Sequence, residues 1–536
     1  MKEKLCEIIK DTLTKLEIQY DQDIKVEVPK NKDNGDFSSN IALELCKILK
    51  KNPLEIAETL KSEINNENIL KIEVAAPGFL NFFVNRNYLV ENINHVIEQD
   101  ENYGSCNIGN GKKINIEFVS ANPTGILHLG NARGGAYGDS LARILKFAGF
   151  DVTKEYYVND AGNQINNLGL SIEARYKTLC GIETPIPENG YHGPEIGVIA
   201  EQIYEQHKDE YLNKDLDYFK ELGTEILLGK IKDVLKEYKI DYDVFTSEKS
   251  IYKKYSLQDI IDTMNKAGYI YEQDGAIWFK SSELYDTKDH VLVKADGSYT
   301  YLVPDIAYHI DKYNRGFDKM IDVLGTDHHG YVARLKGSLK ANGYDDEKVD
   351  VKLLQLVRLV SDGQEIKMSK RTGNTVTLKE LIDEVGVNAT RYSFSSKSLD
   401  TQMDFDLDVF KKKSNENPVY YVSYAYARIC TILKNYENIE VIKEYNNITA
   451  TEALDLLEAV YNFPEVVKSA ATKELPHLVT NYVYNLANLF HTYYSKYRII
   501  NDDTNILNEN LNMIKAVKIT LKNALNLIGV EPPEKM

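Results

Sequence analysis

Residues Lys112 to Val158 carry the pattern that most restricts the fold. Ile114, Ile116 and Phe118 alternate with polar neighbours, so Lys112 to Ser120 suits a strand with one buried face. Ala121-Asn-Pro-Thr-Gly125 supplies a turn, because Pro123 fixes φ and Gly125 permits positive φ. After His128-Leu-Gly-Asn131, the apolar positions Ala132, Ala136, Leu141, Ile144, Leu145 and Ala148 recur at helical spacing, Gly149 makes a stop, and Asp151 to Val158 reads as a second strand. A β-turn-α-β unit puts the helix N-terminus at the carboxyl edge of a sheet, where free N–H groups and the helix dipole favour a phosphate. His128, Gly130 and Asn131 sit at that place. A His-x-Gly-Asn string alone is weak, since it arises by chance in long chains and a histidine at a helix start is often only a cap.

At 536 residues the chain is too long for one core and implies three or four domains. Its net charge of −17 opposes indiscriminate binding to polyanions, so any nucleic-acid contact is local. Five scattered cysteines, with no C-x-x-C pair, indicate neither a disulfide framework nor a structural metal, and fit a reducing cytoplasm. No run of about 18 uncharged apolar residues occurs, so neither secretion nor membrane spanning is expected.

Taken in order, 1–109 reads as a separate α/β module. Helical patterns at Lys2 to Leu16, Asn40 to Lys50 and Pro53 to Ile64 surround strand-like Ile24 to Val28 and Ile72 to Asn85. A sheet domain of 110–404 follows, interrupted by a helical insertion over about 159–285. The sheet resumes at Met320 to Leu324, then a helix at Tyr331 to Asn342 and a strand at Val349 to Val357, the alternation of a doubly wound parallel fold. From 405 to 536 the pattern is all helical: Val419 to Tyr436, Glu452 to Val467, Glu474 to Ile499 and Asn508 to Ile528. The predicted class is therefore α/β multidomain, with an N-terminal module, a helical insertion and an all-α C-terminal bundle.

The second motif is Ile366-Lys-Met-Ser-Lys-Arg-Thr-Gly-Asn374, within a loop of 361–374. Glycines at 363 and 373 flank Lys367 and Lys370, a design for a mobile loop that brings ammonium groups onto a polyphosphate. A histidine motif after the first strand and KMSK after the later ones, over 200 residues apart, resembles the class I aminoacyl-tRNA synthetases with their Rossmann-like catalytic domain. Glu117-Phe-Val-Ser-Ala-Asn-Pro-Thr-Gly125, Val158-Asn-Asp-Ala-Gly-Asn-Gln164, Tyr301-Leu-Val-Pro-Asp-Ile-Ala-Tyr-His309 and Gly325-Thr-Asp-His-His-Gly-Tyr331 narrow the resemblance to the bacterial arginyl-tRNA synthetases.

That resemblance implies a ligase that converts L-arginine and ATP to arginyl-adenylate and pyrophosphate, then passes arginine to the 3′ end of tRNA(Arg). Mg²⁺ accompanies ATP, held mostly by phosphates and water with no protein metal site. The implied protein is a cytoplasmic monomer that makes no membrane contact. His128, Asn131, Lys367 and Lys370 would be catalytic, with Gly130, Met368 and Ser369 also at ATP. Asn131 stands where the family usually has histidine; it still donates a hydrogen bond but cannot carry a proton charge. Glu117, Tyr301 and Asp305 match the arginine-binding positions, Glu248 adds another acid, Asn122 holds the amino-acid head group, and His328 stands where relatives use glutamine. Singly, each acid would be read as a solvated surface group.

For tRNA, the resemblance implies that the first module meets the elbow (Asn81, Phe83), the insertion the acceptor end, and the bundle the anticodon. Tyr424, Arg428, Tyr494 and Arg498 offer aromatic and guanidinium planes for unstacked bases, although tyrosine at helical spacing is more often bundle core. Two other classes remain open from sequence. A silent tRNA-binding regulator would be expected to lose His128, Lys370 or the pocket acids, and none is lost. A small-molecule nucleotidyltransferase can share the first motif but does not require the long insertion and helical C-terminal region.

Overall fold

The computed structural model describes residues 1–29, 31–366, 376–436, 440 and 442–536, with only the backbone of Lys32 and Asp327. The chain forms two compact units, one of 1–98, 439–461 and 498–516, the other of 99–438, 462–497 and 517–536.

In the first unit, helices Lys2–Lys15, Ile41–Leu49 and Pro53–Glu63 bury Leu5, Ile9, Leu45, Ile56 and Leu60 with Leu80 and Phe82 of an antiparallel sheet. Its four strands run Val26–Glu27, Phe37–Ser39, Phe79–Val84, Ile69–Ala75 across the sheet. The segment Ile72 to Asn85, expected as one strand, is two legs of a hairpin, because Pro77 and Gly78 break it and Gly78 takes a φ of +147°. Phe37–Ser39 and the helix Asn87–Gln99 have no counterpart in the expectation. Arg86 bonds Asp455 and Glu458 at 3.2 and 2.8 Å, and Asn94 donates to the Ile442 carbonyl.

The second unit is built on a five-stranded sheet: β1 (Lys113–Glu117), β2 (Asp151–Val158), β3 (Val244–Ser247), β4 (Lys319–Gly325) and β5 (Val349–Leu354). All four pairings are parallel and the order is β5-β4-β1-β2-β3. From β1 the chain passes through α1 (Leu129–Phe147) to β2 and β3 on one side. It returns through α2 (Glu248–Lys254) and α3 (Leu302–Asn314) to β4 on the other, then through α4 (His329–Ala341) to β5. This is a Rossmann-like doubly wound sheet, and its order reverses between β1 and β4, where such sheets open a crevice beyond the carboxyl ends of the strands.

The sheet resumes earlier than Met320: β3, inside the stretch read as insertion, is its edge strand. Four residues give too little alternation to stand out among helical neighbours. The inserted helices are Gly162–Leu179, Pro194–His207 and Leu216–Glu237, closed over Leu168, Ile172, Ile199 and Phe219. Val349 to Val357 also divides, since Val357–Ser361 leaves the sheet to pair in parallel with Met403–Asp406. Glu452 to Val467 is two helices, Thr451–Tyr461 and Phe463–Lys473, the second opened by Pro464 in its first turn.

The helix α1 is buried on nearly every side. A Cβ on Gly138 would lie 2.3 Å from the Phe118 ring, so that glycine sets the helix-to-sheet approach. Two of its charged residues, Arg133 and Asp139, are buried as well. Arg133 donates to the carbonyls of Gln355, Ser398 and Thr401 at 2.7–2.9 Å. Asp139 meets Arg391 and Arg143 at 2.7 Å and Lys154 at 3.0 Å. Burial would raise the Asp139 pKa, but these three cations outweigh it and hold the carboxyl at about 2. Arg391 also donates to the carbonyls of Tyr238, where the insertion ends, and of Ile528 near the C-terminus.

Replacing Arg391 with Met strands one buried carboxylate contact and two carbonyls, a loss of about 3–5 kcal/mol for breaking one side of a buried pair. Thermal unfolding of Arg391→Met is expected to begin several degrees below the parent, and well below Arg143→Met, whose side chain is partly exposed. Equal midpoints for the two variants would remove Arg391 from its role as the junction.

Candidate active site

The turn after β1 is strained. Val119 and Ser120 hold φ of +70° and +36°, and positive φ at a β-branched valine costs about 1–3 kcal/mol. Neighbours hold the turn: Tyr242 donates to the Phe118 carbonyl at 3.0 Å and Tyr156 to that of Ala121 at 2.7 Å. The result turns the Ser120 hydroxyl onto Glu117 Oε1 at 3.0 Å, while its oxygen accepts from the Tyr157 N–H at 3.1 Å. Asn122 beyond it is gripped from both ends, accepting from Asn159 at 2.7 Å and donating to Gln164 at 2.6 Å.

The start of α1 is a capping box. Asn131 Oδ1 accepts from the His128 N–H at 3.1 Å, and His128 Nδ1 accepts from the Gly130 N–H at 3.2 Å. Those bonds fix what faces outward: a His128 ring with its proton on Nε2, and the Asn131 amide NH₂. Partial burial lowers the His128 pKa, so the ring is a neutral donor.

Lys367, Met368, Ser369 and Lys370 lie outside the described residues. The ends of their loop are fixed nonetheless. Ile366 N–H bonds the Leu359 carbonyl at 2.8 Å, and at the other end Leu378 N–H bonds the Leu127 carbonyl at 2.8 Å, with Thr377 bridged to His128. The chain that follows the second motif, at Thr377 and Leu378, thus lies beside the first motif.

Beneath the turn lie buried charges. Lys312, 0 % exposed, donates to Glu117 at 2.6 Å and Asp322 at 2.8 Å. His309 Nε2 lies 2.8 Å from Asp322 and its Nδ1 2.8 Å from the Asp305 carbonyl. Both partners only accept, so both ring nitrogens donate and His309 is an imidazolium. Burial would lower the His309 and Lys312 pKa values, yet the adjacent carboxylates raise both; Asp322 is held down in turn by Lys312 and His309. Two cations balance two anions.

Asp305 and Glu248 stand outside that balance. Burial lifts the Asp305 pKa to about 6, although the Tyr331 hydroxyl donates to it. Burial likewise lifts Glu248, the first residue of α2, to about 7; Asp305 and Asp160 add to the shift, and the Tyr252 hydroxyl 3.2 Å away opposes it. Among the described residues neither acid forms an ion pair, although the His309 charge nearby lowers the Asp305 pKa somewhat. Tyr301 stands at the mouth, 64 % exposed, its hydroxyl accepting from Arg334 at 2.8 Å and its ring 5.9 Å from Tyr331, which the His328 ring approaches at 6.1 Å.

The structure therefore brings Tyr301, Asp305 and His328 around Tyr331, with Glu248 near Asp305. It puts Glu117 in the floor, with its charge already met by Lys312. Sequence reasoning passed over Lys312, His309, Asp322, Tyr331 and Tyr157. His309 and Tyr331 end two of the quoted strings, and Lys312 follows Asp305 by two helical turns, the only pattern that could have marked it.

The RNA candidates are dispersed. In the first unit Asn81 is buried, accepting from Ser38 at 2.7 Å; Phe83 is half-buried under Lys71, and Arg498 is exposed. In the second, the Arg428 guanidinium lies 4.4 Å from the ring centres of both Tyr424 and Tyr494, with Tyr420 stacked on Tyr424. Among the described residues, no group of three His, Cys, Asp or Glu is arranged to hold a metal ion, and no helix is long and apolar enough to cross a membrane.

Comparison with known proteins identifies the family of the whole chain. Residues 3–84 match the arginyl tRNA synthetase N terminal domain, 92–406 the catalytic domain of class I tRNA synthetases (R), and 422–536 the DALR anticodon binding domain. An arginine–tRNA ligase of Bacillus licheniformis is 46 % identical over 550 residues, spanning 100 % of this chain and 99 % of its own. An arginine–tRNA ligase 1 of Halalkalibacterium halodurans is 47 % identical over 96 % of this chain and 94 % of its own. The Thermus thermophilus arginyl-tRNA synthetase structure shares the fold at a TM-score of 0.74, with 20 % identity and 100 % of both chains covered. The chain belongs to the class I arginyl-tRNA synthetase family.

Proposed function

We propose that the protein activates L-arginine with ATP and transfers it to the 3′ end of tRNA(Arg). The observation that carries this reading is the acid pair Asp305 and Glu248, in no ion pair among the described residues and beside a charge-balanced floor, in the same sheet domain as a helix start that presents neutral N–H donors. The guanidinium, planar and permanently charged, enters between the two carboxylates. Asn122 orients the amino-acid end, and Tyr301 and His328 close the pocket mouth.

In the first step the arginine carboxylate attacks the ATP α-phosphorus, the bond to the bridging oxygen breaks, and pyrophosphate leaves. Negative charge grows on the phosphate and the leaving group, so fixed donors and cations are the main catalytic need. His128 Nε2–H, the Asn131 amide and the free N–H groups around Gly130 meet the phosphates; Lys367 and Lys370, with Met368 and Ser369 in their loop, close over them. In the second step a terminal ribose hydroxyl of the tRNA attacks the acyl carbon and AMP departs. Donor groups in the α1 turn suit phosphate oxygen rather than a metal, so Mg²⁺ arrives on ATP and offsets phosphate charge. The first module reads the tRNA elbow, the inserted helices the acceptor end and the C-terminal bundle the anticodon, through the Tyr424–Arg428–Tyr494 stack among other groups. On this reading the protein works as a cytoplasmic monomer.

Purified protein incubated with ATP, total tRNA and each radiolabelled amino acid in turn is expected to charge arginine alone; charging of another amino acid, with none of arginine, removes the assignment. Asp305→Asn breaks one side of a charge pair and is expected to raise the arginine KM by roughly 30-fold or more, with ATP KM within about threefold. Equal losses for both substrates would put Asp305 elsewhere. The pH dependence has a fixed sign. Arginine binds the ionised acids, whose pKa values are raised to about 6 and about 7, so a proton must leave before binding whenever the pH falls below them. Arginine KM is expected to be flat from pH 9 to 8 and to climb as pH falls through 7 to 6; a flat profile over that lower range would show that neither acid meets the substrate charge.

A further inference from the structure

Tyr157 is 4 % exposed, and its hydroxyl has no hydrogen-bond partner among the described residues. Buried hydroxyls are rarely left so, because an unmade bond to a group removed from water is unfavourable. Its place is well defined. On β2 it lies beyond Glu155, next to β1 through the Ser120 contact to its N–H and next to β3 through pairing with Thr246. The adjoining pair is Val158 with Ser247, and the residue after Ser247 is Glu248. Its ring packs 4.3 Å from that of Tyr308 and among Leu302, Val303 and Ile306 of α3, which limits its rotamers.

The acids facing this ring are Asp305, Glu248 and Glu117, in that order of influence, with the Tyr252 hydroxyl after them. Burial and these acids keep the phenol neutral. Ionised carboxylates only accept hydrogen bonds; the neutral phenol has one proton to give to such an acceptor, and its oxygen lone pairs are left to accept from an added donor. A guanidinium brings five in a plane.

We propose that Tyr157 is a specificity-determining residue of the arginine pocket, its phenol oxygen accepting a hydrogen bond from the substrate guanidinium between Asp305 and Glu248. The inference rests on the arginine reading above and extends it to a residue that the family resemblance did not mark in this chain. A pocket built to receive N–H groups on a buried oxygen rejects side chains that lack them, because the oxygen is then left unpaired.

The test uses the full-length protein and the variants Tyr157→Phe and Asp305→Asn, measured by steady-state charging and by thermal unfolding without substrate. Tyr157→Phe is expected to raise arginine KM about tenfold or more, leave ATP KM unchanged, and leave the unfolding midpoint equal to or above the parent, since the deleted hydroxyl had no partner. Unchanged arginine KM in Tyr157→Phe, with a large rise in Asp305→Asn, overturns the role of Tyr157 and keeps the pocket. A lowered midpoint with both KM values raised makes the hydroxyl structural and also overturns it. If Asp305→Asn leaves arginine KM untouched as well, the arginine pocket itself is misplaced.

Discussion

Glu117 and Asp322 face each other across β1 and β4 as register partners, 7 % and 2 % exposed. Like charges opposite one another on adjacent strands repel, and away from water the repulsion is poorly screened. One ammonium, that of Lys312, bonds both, and the imidazolium of His309 completes a neutral set of four. The two strands it joins are those between which the sheet order reverses, so α3 neutralises the buried acids on the strands that border the crevice. Removing one partner from such a set is far worse than never having built it, which makes the network a register lock on the central strands.

The balance in the floor decides the chemistry above it. With Glu117 and Asp322 satisfied from within the protein, attraction for an external cation falls on Asp305 and Glu248. The strained turn at Val119 and Ser120 serves the same end, since it brings a hydroxyl to Glu117 and supports the Tyr157 backbone without adding charge. Strain of that kind persists only where surroundings over-determine it, and here the Tyr156 and Tyr242 hydroxyls hold the turn's carbonyls.

How much of this the sequence discloses depends on the length of each signal. The β1-α1-β2 unit is long and periodic, and its elements fall where alternation and helical spacing put them. The edge strand Val244–Ser247 and the strand Phe37–Ser39 are too short to carry a period, and Glu452 to Val467 keeps one apolar rhythm through a break. In the site, Asp305, Glu248 and Tyr301 are legible through motif strings, never as single residues. Lys312 and Tyr157 are not legible: a lysine in an amphipathic helix reads as surface, and a tyrosine in an apolar strand reads as core. Only the register of β1 with β4, and of β2 with β3, turns the one into a counter-ion and the other into an unpaired acceptor among acids.

On the proposed reading the cleft holds a cation receptor and a triphosphate site within one opening, and acids near phosphate ordinarily repel it. The raised pKa values ease that conflict. With Glu248 near 7 and Asp305 near 6, the free pocket at neutral pH carries less negative charge than two ordinary carboxylates, and the missing charge appears only as the guanidinium arrives to neutralise it. The first motif shows matching economy: His128 and Asn131 are oriented by their own capping bonds to present neutral N–H groups. Beyond the strained turn runs a chain of uncharged amides, Asn159, Asn122 and Gln164, which adds no net charge. On that reading charge is concentrated in the substrates, and the rigid parts of the site supply geometry.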